Sequence, residues 1–212
     1  VDVWAHPEQF QLDERRRPTE VAGCPPDGFS ADGQLWGNPL FNWESMERDG
    51  FAWWVRRIAY QFEIYDVLRI DHFRGFDAYY AIPYGERTAQ NGRWRQGPGM
   101  KLFRAIEAAL GKKDIIAEDL GFLTPSVHQL REDSGFPGMK VLQFAFDSRD
   151  GEGVAYLPYC YPRNCVAYVG THDNDTVQGW LKNADPAHLA YAREHLPPAD
   201  DGNEHRAMMR TI

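Results

Sequence analysis

The chain has 212 residues, 43% of them hydrophobic and 25% charged, which is the composition of an ordinary globular protein. Lys and Arg number 23 against 31 Asp and Glu, and the net charge of −8 leaves no electrostatic footprint for a nucleic-acid backbone. No stretch approaches the roughly 20 consecutive apolar residues of a membrane helix, and no signal segment is recognisable, so we expect neither nucleic acid nor a membrane as partner.

The first predicted element is an amphipathic helix over residues 44–66, where apolar side chains recur at steps of three and four. A short strand follows over residues 67–73. A turn-rich segment then leads into a second helix, which has Pro98 near its start and Gly111 as its stop. The next predicted strand covers residues 115–120.

A third helix is predicted to open at Thr124 and Pro125, with the threonine hydroxyl placed to cap it, and to close at Gly135. A third strand covers residues 140–146, and residues 147–164 form a long ordered loop rather than a linker. A fourth strand and three helices complete the chain, at residues 165–169, 175–183, 186–196 and 203–212. Because strands and helices alternate, we expect an α/β fold whose strands are parallel.

Three of the predicted strands carry an acidic residue where the apolar run stops: Asp71, Glu118 and Asp173. The carboxyl ends of strands in a parallel barrel open onto one face, where the catalytic groups of such barrels lie. We therefore expect the three acids to converge. Taken singly, each acid is more often a helix cap or a structural ion-pair partner, and the shared register of all three is what favours a common site.

Arg69 and Asp71 are two residues apart on one strand, so their side chains leave the same face and can touch. A guanidinium favours the ionised carboxylate that a nucleophile requires. Glu118 has apolar neighbours, and desolvation raises the pKa of a carboxyl toward use as an acid. One charged and one protonated acid is the pairing of glycoside chemistry. Asp119 points to the opposite face and is interpreted as a structural cap.

Motifs for other kinds of site, namely a phosphate-binding loop, a calcium loop and a metal site, match the sequence less well. The segment 97–101 lacks the spacing of a phosphate-binding loop. The segment that starts at Asp173 has Gln178 and Ala184 where a calcium loop needs Gly and Glu. His172 has no second ligand at metal-binding spacing, so a hydrogen-bonding role is favoured over a metal site.

The cysteines and aromatics carry weaker signals. Cys24, Cys160 and Cys165 are too few and too odd in number for a disulfide framework, which favours a reducing, cytoplasmic location. Aromatic residues make up 14% of the chain. Rings with a polar handle suit a sugar-binding site, although a large aromatic core is the alternative.

Five blocks, in order and at consistent spacing, resemble the 4-alpha-glucanotransferases (amylomaltase, or disproportionating enzyme): residues 23–30, 33–41, 69–76, 117–121 and 170–174. The resemblance runs over nearly the whole chain. It implies a (β/α)₈ barrel of the α-amylase superfamily and transfer of α-1,4-glucan segments with retention, between malto-oligosaccharide donors and acceptors and without a cofactor.

By the same resemblance, Asp71 is the expected nucleophile, Glu118 the acid/base and Asp173 the third carboxylate, which holds the sugar hydroxyls. The substrate-binding residues that the resemblance implies are Arg69 and His172 at the same sugar ring, Asp27 and Trp36 on the acceptor side, and Phe144 as an aromatic near the acceptor.

Only four core parallel strands are visible, whereas a closed barrel needs eight. The family's chains are longer at both ends, so we expect residues 1–212 to be an internal fragment of one catalytic barrel domain, a partial (β/α)₈ barrel with long βα loops and an acceptor-side insertion at about 20–45. Two alternatives stay open: an α-glucan hydrolase of the same superfamily, and a non-catalytic glucan-binding module that uses the aromatics alone.

Overall fold

The computed structural model describes residues 2–28, 30–121, 123–146, 153–199 and 203–212. The chain forms two compact units, Val1–Phe136 and Pro137–Ile212. Both units combine helices with a pair of parallel strands, so the predicted α/β class is confirmed, although the first unit also contains an antiparallel sheet. No helix among the described residues is both long enough and apolar enough to span a membrane.

The strands of the first unit are β1 (Glu20–Cys24), β2 (Gln34–Pro39), β3 (Leu68–Ile70), β4 (Ala78–Pro83), β5 (Arg93–Gln96) and β6 (Ile115–Ala117). Its α-helices are α1 (Asp2–Ala5), α2 (Trp43–Arg48), α3 (Ala52–Gln61), α4 (Met100–Leu110) and α5 (Pro125–Ser134). Short 3₁₀ turns occur at Pro7–Gln9 and Phe73–Phe76.

Four strands of the first unit form an antiparallel sheet in the order β2-β1-β4-β5, which the sequence analysis did not predict. Glu20 on β1 is buried, and its carboxylate lies 2.8 Å from Arg93 and 3.0 Å from Arg95 on β5. The two guanidinium groups satisfy a carboxylate that would otherwise be costly to bury. The region predicted as an acceptor-side loop thus includes β1 and β2.

The parallel pair of the first unit is β3 and β6, with Leu68 opposite Ile115 and Ile70 opposite Ala117. Half of the buried residues in the core beside this pair are aromatic. Phe73 is fully buried and its ring stacks on that of Phe103 at 5.4 Å. Many of the chain's aromatic residues are therefore core residues, as the plainer interpretation of the composition held.

The single helix predicted over residues 44–66 is wrong, because the chain turns in its middle. α2 ends at Arg48, Gly50 has φ +69°, and Phe51 has φ +57°. A left-handed residue cannot continue a right-handed helix, so α3 starts anew after it. The apolar spacing carries across the break because both helices pack on the same core.

The predicted helices α4 and α5 are confirmed, and both end at a left-handed or positive-φ glycine, Gly111 and Gly135. The expected threonine cap of α5 is wrong. The hydroxyl of Thr124 makes no cap hydrogen bond and lies 2.9 Å from that of Ser126 instead.

The second unit contains β7 (Gly138–Val141), β8 (Cys165–Tyr168), α6 (Val177–Asn183), α7 (Pro186–His195) and α8 (Glu204–Thr211), with 3₁₀ turns at Leu142–Phe146, Gly153–Tyr156 and Pro158–Cys160. β7 and β8 are parallel, with Gly138 opposite Cys165. The strand predicted over residues 140–146 is correct only at its start, because a 3₁₀ turn begins at Leu142. Of the predicted loop, residues 147–152 lie outside the described residues.

Candidate active site

Two of the predicted acids follow the paired strands of the first unit. Asp71 comes directly after β3, and Glu118 directly after β6. The backbone N–H of Glu118 donates to the carbonyl of Ile70 at 2.9 Å, and the N–H of Phe73 donates to the carbonyl of Glu118 at 3.0 Å. These bonds continue the parallel pairing past the strand ends and hold the two acid-bearing segments side by side.

Two backbone amides orient the carboxylate of Glu118. The N–H of His72 donates to Oε2 at 2.7 Å, and the N–H of Leu120 donates to Oε1 at 2.9 Å. Burial raises the pKa of Glu118 and the negative charge of Asp71 adds to this, while the two amides and the charge of Arg69 oppose it. The net shift is upward, as predicted from the apolar neighbours. Glu118 is therefore a fixed carboxyl that keeps its proton to higher pH than a free glutamate.

Asp71 combines a fixed guanidinium partner with an open carboxylate. Arg69 Nη2 lies 2.7 Å from Asp71 Oδ1, so the predicted contact between the two is confirmed. The Asp71 side chain is 74% exposed and that of Arg69 31%. A carboxylate that is paired with a guanidinium on one side and accessible to solvent on the other has the geometry expected of a nucleophile.

Asp119 lies on the other face of the same segment. It is buried, and its Oδ2 lies 3.4 Å from Arg131 Nη1 of α5. This ion pair agrees with the prediction of a structural role and separates Asp119 from the chemistry of Glu118.

A cavity of about 570 Å³ opens beside Asp71. Arg69, Asp71 and Trp36 all line it, and so does His72. The ring of Trp36 stands edge-on to that of His72, with 4.9 Å between centroids. Of the residues predicted on the first unit, the cavity therefore brings together Asp71, Arg69 and Trp36, the tryptophan predicted to lie on the acceptor side.

Asp27 is exposed and closes a turn, since its Oδ1 accepts from the N–H of Ser30 at 2.8 Å. It does not line the cavity, but its charge acts on Cys24. Burial raises the pKa of the Cys24 thiol to about 11; Asp27 and Glu118 add to the shift and Arg74 opposes it. Asp27 and Glu118 therefore have the half-buried Cys24 as a common neighbour.

Asp173 and His172 lie on a tight turn after β8 in the second unit. Their side chains are 72% and 74% exposed, and His172 Nε2 lies 3.5 Å from Asp173 Oδ1. Asn174 shapes the turn, because its Oδ1 accepts from both the N–H (2.9 Å) and the hydroxyl (3.0 Å) of Thr171. The turn leaves both predicted side chains open to a ligand.

Phe144 lies on the 3₁₀ turn after β7 rather than on a strand. Its ring stands edge-on to Tyr156 at 5.4 Å and is only partly buried. The neighbouring Gln143 is buried and donates to the carbonyl of Asp175 at 3.1 Å. This bond ties the segment of Phe144 to the end of the Asp173 turn.

His72 and Arg74 lie at the site although no role was predicted for them from the sequence. His72 has φ +50° and ψ +50°, and Arg74 lies over the ring of Trp94 at 4.2 Å. The sequence signal that could have identified these two residues is their position within three residues of Asp71. Across the ranges that the structure describes, no three His, Cys, Asp or Glu residues form a group that could hold a metal ion.

Comparison with known proteins gives a consistent result. A family model described as 4-alpha-glucanotransferase matches residues 1–212. The 4-alpha-glucanotransferase of Streptococcus pneumoniae is 50% identical over 212 residues, which are 100% of this chain and 42% of that protein. The chloroplastic/amyloplastic 4-alpha-glucanotransferase of Solanum tuberosum is 55% identical over 180 residues, covering 85% of this chain and 31% of that protein.

The solved structure of amylomaltase from Streptococcus agalactiae in complex with acarbose matches with a TM-score of 0.92 at 40% identity. The match covers 100% of this chain and 42% of that one. The chain thus spans less than half the length of the relatives it matches.

Proposed function

Because the chain belongs to the 4-alpha-glucanotransferase family, we propose that the enzyme transfers α-1,4-glucan segments between malto-oligosaccharides by a retaining double displacement. The observation that carries this proposal is the pair of acids after β3 and β6. Glu118 is held by two amides with a raised pKa, and Asp71 is open and paired with Arg69. The two acids differ in the way that an acid/base and a nucleophile must differ.

In the first step Asp71 attacks the anomeric carbon, and Glu118 gives its proton to the oxygen of the departing glucan. A glycosyl ester on Asp71 results. In the second step Glu118 removes the proton from an incoming sugar hydroxyl, whose oxygen displaces Asp71. Two inversions give net retention. Arg69 orients Asp71 in both steps through its contact with Oδ1.

The remaining predicted residues bind sugar in this proposal. Asp173 and His172 hold hydroxyls of the ring that reacts, which their exposure on the turn permits. Trp36 and Asp27 act on the acceptor side, and Phe144 offers a ring near the acceptor. A tryptophan that is 43% exposed at the edge of a cavity is suited to the C–H face of a sugar.

We propose further that residues 1–212 form part of one catalytic (β/α)₈ barrel, in which the parallel pairs β3–β6 and β7–β8 are barrel strands. The segment at about 20–45 is then the acceptor-side insertion. The match to the amylomaltase structure supports this architecture. A cytoplasmic location remains our proposal from the cysteine content, and none of the three cysteines, all within the described ranges, forms a disulfide.

The test is to incubate the intact enzyme with maltotriose and to follow the products by chromatography. Transfer yields longer oligosaccharides together with glucose, whereas hydrolysis yields only shorter products. We expect longer products, and their absence would favour the hydrolase.

The variant Glu118→Gln separates an enzyme from a binding module. We expect its turnover to fall about 10²–10⁴-fold, because the acid/base is lost. The exposed Glu107→Gln on α4 is the matched control and should keep the wild-type rate. Unchanged turnover in Glu118→Gln would contradict the mechanism.

A further inference from the structure

The amide that holds Glu118 belongs to a residue in an unusual backbone conformation. His72 is left-handed, at φ +50° and ψ +50°, and its N–H donates to Glu118 Oε2 at 2.7 Å. For most residue types the left-handed backbone conformation is energetically costly, whereas Asn, Asp and His adopt it more readily. The direction of the amide, and so the position of the carboxyl, depends on this conformation being held.

The ring of His72 is held on two sides. The Trp36 ring of β2 packs edge-on against it at 4.9 Å. On another side lies Gly75, where even a single added methyl carbon would come within 3.1 Å of His72 Cδ2. The ring therefore has a close neighbour from the acceptor-side segment and another from its own turn.

The His72 ring is uncharged over the pH range in which glucan transfer is assayed. Burial and the nearby charge of Arg74 lower its pKa to about 4, against the opposing effect of Asp71. Its packing against Trp36 therefore does not change with pH above this value. A change in the pH profile of a His72 variant consequently reports on another group.

We propose that His72 is a positioning residue: its ring, packed between Trp36 and Gly75, fixes the left-handed backbone whose amide orients the carboxyl of Glu118. Trp36 on the acceptor side is thereby linked to the acid/base by one residue. The inference rests on the proposed function and deepens it, because it connects acceptor binding with proton transfer.

The groups that face Glu118 define what a pH profile would measure. Asp71 and Arg69 face it from the end of β3, the amide of Leu120 from its own segment and the thiol of Cys24 from β1. The amide of His72 favours the ionised carboxylate. Weakening that bond raises the pKa of Glu118, which moves the alkaline limb of kcat/KM to higher pH, since the first step needs the protonated acid.

The experiment compares two substitutions of His72 in the intact enzyme, with maltotriose as substrate. His72→Val disfavours the left-handed conformation because valine is β-branched. We expect kcat/KM to fall about 10–100-fold and its alkaline limb to move to higher pH. His72→Asn tolerates the conformation but lacks the ring, so its alkaline limb should move less far to higher pH than that of His72→Val, while KM for maltotriose rises through loss of the Trp36 contact.

Arg16→Val is the matched control, because Arg16 is exposed and also left-handed at φ +60°. It imposes the same backbone conflict away from Glu118 and should leave the limb unchanged. If His72→Val does not fold, judged by circular dichroism, Gly75→Ala tests the same link by displacing the ring, and its limb should move in the same direction. If the folded His72→Val variant keeps the alkaline limb of kcat/KM at the wild-type pH, the inference is overturned. The same result in Gly75→Ala overturns it where that variant has to replace His72→Val. A wild-type enzyme that does not redistribute maltotriose would instead overturn the proposed function.

Discussion

Each unit places an acid after a pair of parallel strands, but the two units hold their acids differently. Glu118 in the first unit is partly buried and accepts two backbone hydrogen bonds. Asp173 in the second unit is 72% exposed, on a turn whose hydrogen bonds run between Thr171 and Asn174. The protein fixes the first carboxyl directly, whereas for the second it fixes only the backbone turn.

This difference matches the proposed division of work. A group that transfers protons benefits from a fixed position and from dipoles already in place, because these need not reorganise during the reaction. A group that binds sugar hydroxyls must remain accessible until the sugar arrives. An exposed carboxylate on a rigid turn meets that need, and the sugar then replaces the water around it.

Asp173→Asn tests the open side of the comparison. We expect kcat/KM to fall about 10²–10³-fold, because a neutral amide binds the hydroxyls of the reacting sugar ring less well than a carboxylate does. Part of the loss should appear as a higher KM for maltotriose, measured from initial rates. Asp185→Asn is not a suitable control because Asp185 caps α7, whereas exposed Asp133→Asn on α5 is suitable and should keep the wild-type KM. Wild-type kinetics in Asp173→Asn would remove this turn from the site.

Arg69→Ala tests the first unit, in which the protein holds the acids in place. We expect turnover to fall about 10–100-fold, because Asp71 loses the guanidinium 2.7 Å from its carboxylate. The charge of Arg69 also lowers the pKa of Glu118, so its removal raises that pKa further and moves the alkaline limb of kcat/KM to higher pH. The control Arg48→Ala removes an exposed pair with Glu44 on α2. A limb that stays at the wild-type pH would show that Arg69 acts on Asp71 alone.

Asn174→Ala asks whether the turn itself positions Asp173. We expect a drop in kcat/KM of about tenfold, since the alanine removes the acceptor for both donors of Thr171 and the turn loosens. Asn174→Asp keeps an oxygen at Oδ1 and should recover most of the loss. Equal rates in the two variants would mean that the turn does not depend on this side chain.

Asp119→Asn should have the smallest catalytic effect. It weakens a buried ion pair with Arg131, so we expect the free energy of unfolding in urea to fall by about 3 kcal/mol. The turnover of the folded enzyme should stay within about twofold, because substitutions away from the site act mainly through stability. Asp133→Asn on the same helix α5 is exposed and should leave stability unchanged. A large loss of turnover at full stability would bring Asp119 into the site.

The sequence predicted the existence of the four parallel strands, although not their pairing or the end of the third, because these strands are apolar and stand between turn and helix signals. Arg69 and Asp71 could be placed on one face from the two-residue spacing alone, and the contact at 2.7 Å agrees. The raised pKa of Glu118 also followed from its apolar neighbours. These features depend on local sequence, which is why local patterns predicted them.

Features that depend on distant partners could not be predicted. β1 and β5 lie on either side of β4, and their side chains Glu20 and Arg93, which are 73 positions apart in the chain, form an ion pair. The run after Val141 is apolar except for Gln143, and an apolar run alone does not distinguish a strand from a buried helical turn. Phe51 is left-handed, a conformation that phenylalanine rarely adopts, so its residue type gave no sign of the break between α2 and α3.

The burial of Cys24 has a practical consequence for labelling. With a pKa of about 11, about one Cys24 thiol in 10⁴ is ionised at pH 7, and thiol reagents attack the thiolate. Cys160 in the second unit is exposed. A maleimide dye at neutral pH should therefore attach to Cys160 and spare Cys24, once the half-buried Cys165 is replaced by serine. Within residues 1–212, Cys160 is then the attachment point for fluorescence measurements that leave the neighbour of Glu118 unmodified.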